Sequence, residues 1–133
     1  YNPVKFDDKV PIYYQIKTYL YYDVLTGKLK PGAKLPAVRQ LAVDLTVNVN
    51  TVQRALTEMI AEKTIISQRG KGNFVTEDQD KLAQLKEQLV MSQLAHVYDQ
   101  LHRLNLSDSE IVASLQRYID QKGAPQDVER ISD

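Results

Sequence analysis

The side chains best suited to do chemistry cluster in one short stretch. Asn50, Thr51, Gln53, Arg54 and Thr57 are interleaved with an apolar set, Val52, Ala55, Leu56, Met59 and Ile60. That set repeats at i, i+3, i+4, i+7 and i+8, the spacing of one buried face of an α-helix. At about 100° per residue, Asn50, Arg54 and Thr57 fall almost opposite it, with Gln53 and Thr51 on the flanks. Such a face can read base edges. Arg bonds guanine bidentately, Asn and Gln bond adenine, and Thr serves a base edge, a thymine methyl or a phosphate. A solvent-facing helix surface is commonly polar too, so the neighbourhood decides. Here a short helical pattern precedes the stretch, and a basic tip, Arg69-Gly70-Lys71-Gly72, follows it.

Other constellations are weaker. His96 and His102 stand six apart on one helical pattern, about 240° round the wheel, so one chain cannot close both on a metal. Gly70-Lys71-Gly72 lacks the G-x-x-x-x-G-K-[ST] frame of a phosphate loop, which follows a strand and opens a helix. Glu77, Asp78, Asp80 and Glu87 read as a solvated acidic helix start, which the helix dipole favours. No nucleophile–base pairing or dinucleotide fingerprint emerges. With no Cys there is no disulfide, thiolate metal site or thiol nucleophile. No enzyme, metal site or cofactor is expected.

The elements that position these residues follow from length and pattern. A chain of 133 residues allows one domain, or a small domain with an appendage, and 43% apolar content suffices for a core. No apolar run reaches the roughly 18 residues of a membrane span, and no signal-peptide pattern opens the chain. Tyr1 in place of Met suggests a trimmed start, and the composition fits a cytoplasmic protein. The formal net charge is zero, but residues 1–76 carry eleven bases against six acids, and 77–133 carry six against eleven. A basic first half suits a polyanion partner, and the acidic second half needs another task.

After a short extended start, Pro11 tolerates a first helical position, and Ile12, Ile16, Leu20 and Val24 stripe a helix to about Thr26. Tyr13, Tyr14, Tyr19, Tyr21 and Tyr22 flank that stripe and suit packing better than single-strand stacking. Gly27 ends the helix, and Lys30-Pro31-Gly32 turns the chain. Pro36 opens a second helix through about Leu45, with Val38, Leu41, Ala42 and Leu45 inward. Asn48 caps a third through about Lys63. Residues 64–68 and 73–76 read as strands of a hairpin around the tip 69–72. A longer helix is predicted from about Asp78 to Leu104. The Ser107-x-x-Glu110 capping box starts a last one, which Gly123 and Pro125 stop, leaving a frayed tail. The fold class expected is mainly α with a small β-hairpin: a winged helix-turn-helix over 1–76, then a two-helix dimerisation arm over 77–133. Two amphipathic helices cannot bury their own stripes, so Leu82, Leu85, Leu89, Leu94, Val97, Leu101, Leu104, Ile111, Leu115 and Ile119 are expected at a dimer interface.

Five ordered segments, Pro11–Ile16, Gly27–Gly32, Leu35–Ala42, Asn50–Ala55 and Arg69–Val75, resemble the DNA-binding domain of the GntR family of bacterial transcription regulators. The short remainder is similar to the YtrA-type subfamily, which lacks a large effector domain. The resemblance implies a dimeric repressor, often of its own operon with transporter genes, bound to a double-stranded operator. It places Arg39 at the major groove or nearby phosphates, Asn48, Asn50, Thr51, Gln53 and Arg54 in the recognition-helix contact region, and Arg69, Gly70, Lys71 and Gly72 at the wing tip. The sequence departs from the pattern at several points. Ala37 replaces the commoner Ser and loses a cap; Thr46 and Lys63 stand where Gly is usual; Val49 and Gln53 stand where polar or basic side chains are common. Two other readings remain. One is a sensor with a small effector of unknown identity at the dimer interface, the other a winged-helix protein adaptor that never touches DNA.

Overall fold

Residues 9–123 are described by the structure, a computed structural model. In chain order the elements are α1 (Ile12–Leu25), α2 (Val38–Leu45), α3 (Val49–Ala61), β1 (Ile65–Gln68), β2 (Gly72–Val75), α4 (Gln79–Arg103) and α5 (Asp108–Lys122). The extended start and the tail after Pro125 lie outside the described residues. Mainly helical with one antiparallel hairpin, the chain has the expected fold class. Packing divides it after Gln88, within α4, and not where the composition changes at Glu77.

In the first unit α3 is the central element, packed on α1, α2 and β1. Its expected inner face is fully buried at Val52, Ala55, Leu56 and Met59, while Ile60 is half-buried. Leu41, Ala42 and Leu45 of α2 and Ile16, Leu20 and Val24 of α1 complete the core with Ile65 and Val75 from the hairpin. Each of the Val, Leu, Ile and Met side chains contributes about 1.5–3 kcal/mol by leaving water, and the two alanines less. Two residues change sides. Ile12, expected in the α1 stripe, is 44% exposed at the helix start, whereas Tyr21, expected on the flank, is buried. Leu85, expected at a dimer interface, is only 4% exposed within the first unit, which removes it from the surface stripe.

The second helix starts at Val38, two residues later than Pro36 suggested. The cause is pairing with β2. Val75 N–H donates to Ala33 O at 2.9 Å and Leu35 N–H donates to Asn73 O at 2.8 Å, so this segment is held extended until Ala37. Ala37 itself provides no side-chain cap. In the hairpin, Gln68 pairs with Gly72 and Ile65 with Val75, which shortens the tip to Arg69, Gly70 and Lys71. Thr46 and Lys63, the two positions where Gly was the expected residue, have φ of 55° and 66°. The turns require left-handed backbone there, and this chain adopts it with L side chains.

α4 is capped by Asp78, whose Oδ1 accepts from Asp80 N–H at 3.0 Å and Lys81 N–H at 3.2 Å. In the second unit α5 has the predicted capping box: Ser107 Oγ accepts from Glu110 N–H at 3.2 Å, and Glu110 Oε1 accepts from Ser107 N–H at 2.8 Å. Tyr98 Oη donates to Asp108 Oδ1 at 2.8 Å, tying the two helices of this unit together. Leu101 and Ile111 are half-buried, but Leu94, Val97, Leu104, Leu115 and Ile119 are exposed.

Candidate nucleic-acid interface

Asn48 has extended backbone, and its Oδ1 accepts from Asn50 N–H at 2.7 Å. That bond satisfies a free amide of the first turn and fixes where α3 starts. From this start Asn50, Gln53, Arg54 and Thr57 are exposed on the side away from the core, and Thr51 is half-buried. Among the described residues the Asn48 amide nitrogen has no partner. Thr57 is less free, because its hydroxyl donates back to Gln53 O at 2.8 Å. Val49 is exposed beside Asn48 and offers only an apolar contact.

Arg54 does not stand out into solvent alone. Its guanidinium carbon lies 3.8 Å from the centroid of the Tyr13 ring, from α1. Its Nε is 3.8 Å from Glu58 Oε2, one turn on. Glu58 Oε1 in turn takes Lys17 Nζ at 3.1 Å, and the same ammonium reaches Glu62 Oε2 at 2.6 Å. Glu62 also accepts the hydroxyl hydrogen of Tyr21. A row of polar contacts therefore runs along the α1–α3 seam from Tyr13 to Tyr21. Burial alone would lower the Lys17 pKa, but Glu62 and Glu58 outweigh it and raise it. Burial, then the bond to Glu62, push the Tyr21 phenol above its ordinary range.

Arg39 is exposed at the second position of α2, as Arg69, Gly70 and Lys71 are at the hairpin tip. Gly70, with φ of 74°, has open space where a Cβ would point. Gly72 is different: at φ 117° its missing Cβ leaves room for Lys34, whose Cε would otherwise be 2.8 Å away. Lys34 pairs with Phe74 of β2, so it joins the cations of the tip. Elsewhere in this unit, a cleft of about 560 Å³ between α1 and α2 has an apolar floor of Leu20, Leu29 and Leu41. Asp23, Asp44 and Lys28 also line it, and burial raises the Asp23 pKa against the opposing effect of Lys28. In the second unit His102 stacks on Tyr98 at 5.6 Å between ring centroids.

A polar outer face on a central helix, followed by a cationic hairpin, is the arrangement of a winged helix-turn-helix. The fold is similar to that of a GntR family transcriptional regulator from Listeria monocytogenes, with a TM-score of 0.75 and 34% identity. That match covers 84% of this chain and 98% of the other. The chain belongs to the GntR family. The family model for bacterial regulatory proteins of the gntR family matches residues 12–75, from the start of α1 to the end of β2. Over 85 residues this GntR-family chain is 40% identical to the HTH-type transcriptional repressor YtrA of Bacillus subtilis (strain 168). That alignment covers 59% of this chain and 65% of the relative. A solved structure of AraR(DBD) in complex with operator ORE1 is also similar, at TM-score 0.50 and 25% identity, covering 57% of this chain and 93% of that one. This is a YtrA-like regulator, and its relatives are transcription regulators, not enzymes.

For this GntR-family regulator, two features were missed at the level of sequence. Tyr13 was assigned to packing, although it carries Arg54; aromatic spacing on α1 does not indicate which α3 residue comes to lie above it. Lys34 carries no signal of its own in the sequence, because a single bridge to β2 leaves no alternating pattern to read.

Proposed function

We propose that this regulator is a dimeric repressor of its own operon that binds a near-palindromic double-stranded operator. The observation that carries the reading is the exposed polar face of α3, set beside the cations of the hairpin tip. Asn48, Asn50, Thr51, Gln53 and Arg54 enter the major groove, and Arg39 meets its edge or the adjacent phosphates. Arg69 and Lys71, with the backbone of Gly70 and Gly72, follow the phosphates or the minor groove. The dimer forms through the exposed apolar side chains of α4 and α5, with Leu82, Leu89, Leu101 and Ile111 at its margins. Residues 77–133 act as the pairing arm and 1–76 as the reading domain. Two-fold symmetry presents α3 twice, and occupancy blocks polymerase. The repressor named YtrA is a relative of which this chain shares 40% over the aligned part, which supports the sign of regulation.

Selection from a pool of random duplexes by the full chain tests this. Two inverted half-sites centred about 10 bp apart are expected, with affinity falling as salt rises because phosphate contacts release counterions. Salt-independent binding with no enriched sequence would overturn the DNA reading and favour the protein adaptor.

A second reading is a ligand-responsive regulator. The cleft between α1 and α2, within one chain and not at the dimer interface expected for an effector, favours it, because an apolar lining with a few polar groups suits a small ligand. A saturable change in operator affinity with an added amphipathic amine is the result it requires.

A further inference from the structure

We infer that Tyr13 is a positioning residue for base reading, a platform that sets the plane of the Arg54 guanidinium. The inference rests on the proposal that Arg54 faces DNA. Tyr13 is half-buried on α1, and the guanidinium carbon sits 3.8 Å above the centre of its ring. An aromatic face attracts a guanidinium, whose flat group can stack on it. Glu58 Oε2 approaches Nε, the inner nitrogen, at 3.8 Å. Glu58 is itself held from the other side by Lys17 at 3.1 Å. The ring thus covers one face of the group and the carboxylate stands at its inner edge.

The outer edge is left open. The Arg54 side chain is 63% exposed, and among the described residues neither terminal nitrogen has a hydrogen-bond partner. Those nitrogens form the fork that meets guanine O6 and N7 bidentately. A fork already held in plane loses less rotamer freedom on binding and tolerates fewer alternative partners, which raises discrimination more than bare affinity. A phosphate contact would need only the charge.

Random-duplex selection with the full chain, Tyr13→Phe, Tyr13→Leu and Arg54→Ala decides this. Arg54→Ala is expected to flatten the preference at one base pair in each half-site. Tyr13→Leu flattens the same base pair and lowers the operator-to-scrambled affinity ratio about tenfold, while Tyr13→Phe keeps both. The double variant Tyr13→Leu with Arg54→Ala loses no more discrimination than Arg54→Ala alone. A purely structural Tyr13 would instead lower the melting temperature and weaken all duplexes alike with the preference intact, which overturns the inference. If Arg54→Ala flattens no base pair, the base-reading role of Arg54 fails and the platform falls with it. If Arg54→Ala flattens one and Tyr13→Leu does not, the platform alone fails.

Discussion

Lys34 lies across Gly72 so closely that a Cβ on the glycine would stand 2.8 Å from Lys34 Cε. Gly72 also has φ of 117°, a backbone conformation that L side chains rarely adopt. Gly70, two residues earlier at φ 74°, has nothing within reach of a Cβ. Gly70→Ala should therefore cost only the left-handed penalty, about 1–2 kcal/mol. Gly72→Ala should cost more, because φ of 117° lies outside the left-handed well that L residues can enter, while the flexible end of Lys34 can move aside. Urea unfolding of the two variants measures the difference; equal midpoints would mean that the hairpin backbone relaxes at Gly72 without cost.

A related expectation concerns Thr46 and Lys63. Both hold left-handed backbone at φ of 55° and 66° with side chains that disfavour it. Thr46 is β-branched, the worse case. Replacement by Gly removes about 1–2 kcal/mol of strain and adds about 0.5–1 kcal/mol of chain entropy cost. Thr46→Gly should therefore stabilise by up to about 1 kcal/mol, and Lys63→Gly by less. A lower urea midpoint for Thr46→Gly would show that its hydroxyl or methyl group does more than fill a turn.

The α1–α3 seam predicts an alkaline weakness. Lys17 and Tyr21 both have folded-state pKa values raised above their ordinary ones. A group with a raised folded pKa binds its proton more tightly when folded, so its contribution is complete below the unfolded value and fades as pH rises through the folded one. For Tyr21 the ordinary value is 10.0 and for Lys17 it is 10.5. Stability should fall from about pH 10 upward. Tyr21→Phe should remove part of that slope, seen as a flatter denaturation midpoint between pH 9 and about 11. An unchanged slope would mean that neither the burial of Tyr21 nor its bond to Glu62 is retained in solution.

Pairing of the chains can be tested without disturbing either unit. Leu89 and Leu101 are half-buried in the single chain, so charges there would mix folding with assembly. Leu94 and Leu115 are 45% and 50% exposed and are cleaner positions. Leu94→Asp with Leu115→Asp should give monomers by light scattering, with unchanged helix content and operator affinity reduced at least tenfold through lost avidity. A persisting dimer would place the interface elsewhere.

What the sequence made legible was whatever short-range chemistry dictates. The Asn48 cap, the Ser107–Glu110 box and the Val52–Met59 face are each set by neighbours within a turn or two, and each has its structural counterpart. What escaped depends on contacts distant in sequence. α2 starts at Val38 because β2, some forty residues later, holds the preceding segment extended. Leu85 belongs to the first core because the fold covers it there, although its stripe looked continuous with Leu82 and Leu89. The wheel sets Arg54 opposite the buried face but is silent on Tyr13, since a wheel places Cβ directions and not the ring of a facing helix.

The last prediction separates the two kinds of cation at the interface. Lys71 is exposed at the hairpin tip and Lys34 lies against Gly72, both on flexible stems that suit phosphate as point charges. Lys71→Ala and Lys34→Ala should each weaken operator and scrambled duplex alike. Each should also reduce the salt slope by about 1 per subunit, because one phosphate contact releases about one counterion. Arg54→Ala should instead cost on the order of 1–3 kcal/mol at the operator and less on scrambled DNA. Titrations of the three variants against both duplexes at several salt concentrations give affinity, discrimination and slope together. Equal losses on the two duplexes for Arg54→Ala would move it into the phosphate-binding set, and unequal losses for Lys34→Ala would move that residue out of it.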